Sequence, residues 1–80
     1  MKKGLMIYEG QEKGVYKIVF YGHMVPPYQI KITDQSGCLI KEGISYGKEY
    51  GFDLRGNLPG IYQISVGCRD NTYCDILEFQ

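Results

Sequence analysis

Residues 57–66 read NLPGIYQISV, and how this stretch folds decides how the whole chain folds. Its first half is turn chemistry, with Pro59 and Gly60 punctuating the backbone. Its second half alternates, placing Tyr62, Ile64 and Val66 on one face and Gln63 and Ser65 on the other. Strict alternation of this kind is the mark of a half-buried strand. Leu58 is expected to plug the core beneath the turn, Pro59 and Gly60 to set the turn, and Tyr62, Ile64 and Val66 to fill the core. These six positions are read as fold-determining.

The same pattern runs outward in both directions. Upstream, YQIKITD (Tyr28–Asp34) points Tyr28, Ile30 and Ile32 one way and Gln29, Lys31 and Thr33 the other. In DQSG, Asp34 can cap a turn with its side chain and Gly37 can take positive φ. CLIKEG then returns as the partner strand of a hairpin. VYKIVFY (Val15–Tyr21) puts Tyr16, Ile18 and Phe20 on one face, and GLMIY (Gly4–Tyr8) is a short first strand. A further strand is expected from Glu49 to Leu54, with bends or bulges at Gly47 and Gly51. Downstream, TYCDILEF (Thr72–Phe79) closes the chain. Asp75 interrupts its apolar face, which places this strand at an edge or gives it a bulge. No segment carries the helical period, and Ala, the best helix former, is absent. The expected fold class is all-β: residues 1–80 as one antiparallel sandwich domain of about seven short strands, with a small barrel as the structural alternative.

The motif FDLRGNLPGIYQISV resembles the end of many immunoglobulin-like and fibronectin type III-like domains. The resemblance implies an Ig-like sandwich in which Tyr62 forms a tyrosine corner, its ring in the core and its hydroxyl bonded to upstream backbone. YQIKITDQSGCLIKEG is similar to small β-sandwich modules abundant in Bacteroidetes, including the C-terminal sorting modules of type IX secretion.

Composition narrows the function classes. Nine basic and nine acidic residues give zero net charge, so nothing draws the chain to nucleic acid or to an anionic membrane surface. No apolar run approaches the roughly 20 residues of a membrane span. Only Leu5–Tyr8 is apolar after the basic start, short of a signal-peptide core. The expectation is cytoplasmic synthesis without an export signal of its own and a place in a virion, or at a cell surface if a signal once preceded Met1. Cys38, Cys68 and Cys74 show no metal-ligand spacing beside the single His23. Three free thiols are the expectation, with a Cys68–Cys74 bridge across a hairpin and metal binding or catalysis as alternatives. Glu42, Glu49 and Asp53 read as a solvated face, and no phosphate-binding glycine motif follows a strand. No catalytic, cofactor-binding or metal site is expected, and no enzyme.

Tyrosine is the abundant aromatic, at eight residues, more than so small a core can hold. Tyr21, Tyr46 and Tyr50, with His23, Met24 and Val25 of the loop YGHMVPP, form the candidate interaction surface. The expected function is a non-catalytic structural module that binds other proteins, as an auxiliary or decoration protein on a larger assembly such as a phage capsid. A Bacteroidetes surface or secretion-associated module and a carbohydrate-binding module are the alternatives. Self-association through open sheet edges is also expected.

Overall fold

The computed structural model describes residues 4–21, 25–69 and 71–80. Among them lie seven strands: β1 (Leu5–Glu9), β2 (Val15–Phe20), β3 (Tyr28–Thr33), β4 (Leu39–Ser45), β5 (Glu49–Asp53), β6 (Gly60–Cys68) and β7 (Asn71–Phe79). No helix among the described residues is long and apolar enough to cross a membrane.

The strands form two antiparallel sheets, β1-β2-β5 and β4-β3-β6-β7. Each sheet turns its period-2 apolar face inward, as the alternation requires. Tyr16, Ile18 and Phe20 come from β2, Tyr28, Ile30 and Ile32 from β3, and Tyr62, Ile64, Val66 and Cys68 from β6. All ten are buried, and Leu5, Phe52, Leu54 and Phe79 complete the core. Rings bridge the layers at two places. Phe20 of β2 stacks on Tyr28 of β3 with centroids 4.0 Å apart. Tyr16 stacks on Phe52 at 5.6 Å and meets the edge of Phe79 at 6.5 Å. Such ring pairs add about 0.5–1.5 kcal/mol beyond their buried area.

The strand directions gather the connections at two ends. At one end lie the loops after β1, β3 and β5. Arg55 grips both carboxylate oxygens of Asp53, at 3.0 and 2.8 Å, and reaches Glu12 of the β1–β2 loop at 2.6 Å. Hydrogen bonds hold the Asp53 carboxyl down at about 2, first those from the Arg55 side chain and then that from the Arg55 backbone N–H. Gly14 sits inside this clasp at φ +91°, and its carbonyl accepts the Leu54 N–H at 2.8 Å. A Cβ there would lie 2.8 Å from the Arg55 Cγ and 3.2 Å from the Phe79 ring. In the β3–β4 turn, Asp34 Oδ1 accepts the N–H groups of Ser36 and Cys38 and the Ser36 hydroxyl. These bonds lower the Asp34 pKa. Gly37 takes positive φ, as the turn demands.

Two sequence expectations need correction. Leu58 does not plug the core: its side chain is 83% exposed. It belongs to a turn, where side-chain direction is not set by strand alternation. Its carbonyl is the part that matters, because it accepts the Tyr62 hydroxyl at 2.5 Å. Gly51 lies within a regular register with β2 and marks no bulge. The register shift falls instead between Ile32 and Thr33, opposite Leu39–Lys41. The three cysteines are free thiols, and the alternative Cys68–Cys74 bridge does not form. Cys68 continues the inward set of β6, whereas Cys74 lies opposite Ser65 on the outer face, so the two thiols point to opposite sides of the sheet.

Candidate interaction surface

The other end of the sandwich collects the β2–β3, β4–β5 and β6–β7 connections. Residues of the interaction surface expected from sequence separate here by environment. Tyr46 is 75% exposed at the crossing from β4 to β5. Val25 is exposed beside it in chain topology, on the β2–β3 connection, with Pro26 and Pro27 following. Tyr21 is half-buried, and its backbone N–H is fixed on the Gly4 carbonyl at 2.9 Å. His23 and Met24 lie outside the described residues. Tyr50 is also half-buried, and its ring packs over Gly43 of β4 and against the core. It seals the side of the sandwich where β4 and β5 are neighbours and leaves little ring to offer a partner.

A groove of about 450 Å³ opens at this end of the four-stranded sheet. Pro26 and Pro27 border it on one side and Arg69, Asn71 and Thr72 on the other. Gln29 and Gly67, paired across β3 and β6, lie between them. Depressions of about 140 and 400 Å³ carry the groove down the outer face past Lys31, Ser65, Glu42 and Ile44. The absence of a side chain at Gly67 deepens the middle. Arg69 adopts φ 58°, the left-handed conformation that a two-residue hairpin loop uses.

Cys68 anchors the loop that borders this groove, a role that the sequence reading missed. Its thiol is buried, donates to the Val25 carbonyl at 3.0 Å and accepts the Val25 N–H at 3.3 Å. One side chain thus satisfies both backbone groups of Val25. Continuing the alternation Tyr62, Ile64, Val66 by one step would have placed Cys68 inward. Beneath it, burial first and the nearby Cys68 sulfur second push the Tyr28 phenol up from its ordinary value.

The acidic residues expected on solvated faces enter separate pairings. Glu49 faces Lys17 at 3.5 Å, Asp53 belongs to the Arg55 clasp, and Glu42 lies across from Lys31. Among the described residues, no group of three His, Cys, Asp or Glu side chains is placed to hold a metal ion. The chain matches no protein-family model and no curated protein.

Proposed function

We propose that the chain is a non-catalytic Ig-like module that docks on another protein through its loop end. Two features support the Ig-like reading. One is the Tyr62 hydroxyl bonded back to Leu58 at the corner between β5 and β6. The other is strand order: β4 joins β3 rather than the first sheet, a three-plus-four division of the kind fibronectin type III-like modules use. The observation that carries the docking reading is the exposure of Tyr46 and Val25 at the end of the sandwich where a groove opens, with Cys68 holding Val25 next to the groove-lining Pro26. An exposed aromatic ring is the kind of side chain that anchors a protein interface. The groove itself is lined by Pro, Gln, Thr and Arg rather than by the flat aromatic platforms that stack on sugars, which favours a protein partner over a carbohydrate. Small size and zero net charge suit an auxiliary or decoration role on a larger assembly such as a phage capsid.

The test is a photo-crosslinking residue at position 46, with position 76 on β7 as control, in cells making the natural protein. The expected result is one protein adduct at 46 and none at 76, and loss of the purified complex on Tyr46→Ala. Equal crosslinking at both positions, or binding indifferent to Tyr46→Ala, would refute docking through the loop end.

A further inference from the structure

We draw no further inference here: the strongest candidate, the polar groove across the outer face of the four-stranded sheet between Pro26 and Thr72, belongs to the docking end already described, and nothing in its lining shows what covers it.

Discussion

The two ends of the sandwich are held by different chemistry. At the Arg55 end, turns are fixed by charge and by backbone conformation: a guanidinium shared between Asp53 and Glu12, an Asp34 side chain folded over its turn, and a glycine at φ +91°. At the Tyr46 end, the ties include a ring stack, a thiol and the Ser45 hydroxyl, which donates to the Glu49 carbonyl at 3.0 Å across the β4–β5 connection. Charged clasps at an exposed site are individually weak, but they fix geometry. The thiol holds Val25 by its backbone and leaves the Val25 side chain exposed. The difference between the ends is one between a turn cluster that closes the fold and a loop cluster that displays residues.

That contrast can be broken from either side. The largest effect is expected from Phe20→Ala, which removes the buried ring stacked on Tyr28 beneath the loop end. A loss of about 3–5 kcal/mol in urea unfolding is expected; a loss near zero would mean that the stack is not part of the core. Gly14→Ala attacks the opposite end, forcing a side chain into positive φ against Arg55 and Phe79. It should cost about 2 kcal/mol, and an unchanged midpoint would show that the clasp yields freely. Tyr62→Phe deletes only the hydroxyl bonded to Leu58. Because Leu58 is exposed, water can reach its carbonyl, and the loss should be about 1 kcal/mol.

The smallest effect is the response to acid. The Asp53 pKa is depressed in the folded protein, to about 2 from 3.8, so the stability it contributes is present above about pH 4. It is lost as pH falls from about 4 toward 2. Asp34 is shifted in the same direction and adds to the same window. Arg55→Gln should return the Asp53 carboxyl toward its ordinary value in an NMR titration and flatten this part of the acid limb. An Asp53 titration unaltered by that change would remove Arg55 as the cause.

Strands with a buried face were legible in the sequence. Tyr16-Ile18-Phe20, Tyr28-Ile30-Ile32 and Tyr62-Ile64-Val66 alternate strictly, and all nine are buried. The turn at Asp34 was legible for a different reason: Asp and Gly each do one local job there, independent of the rest of the fold. What failed to show were positions set by tertiary context. Leu58 looked like core because it is apolar, but a turn gives no period from which to read direction. β4 was expected as the hairpin partner of β3 and pairs there, but the register shift spoils the alternation around Ile40, so its inward set could not be read. The candidate surface was legible only in part. Tyr46 is exposed as expected, but Tyr50 is drawn over Gly43, and nothing local to KEYGF announces that a glycine on another strand makes room for a ring. Cys68 was hidden because its partner is a backbone 43 residues away.

Gly43 and Tyr50 have a consequence for how this chain can vary. A Cβ at position 43 would collide with the Tyr50 hydroxyl and ring edge, so alanine there pushes the ring out of the seam between the sheets. The two positions are therefore coupled, because what fits at 43 depends on the side chain at 50. A methyl group gained on β4 needs a smaller side chain gained on β5, and a double-mutant cycle across them should show coupling that neither residue's own exposure reveals.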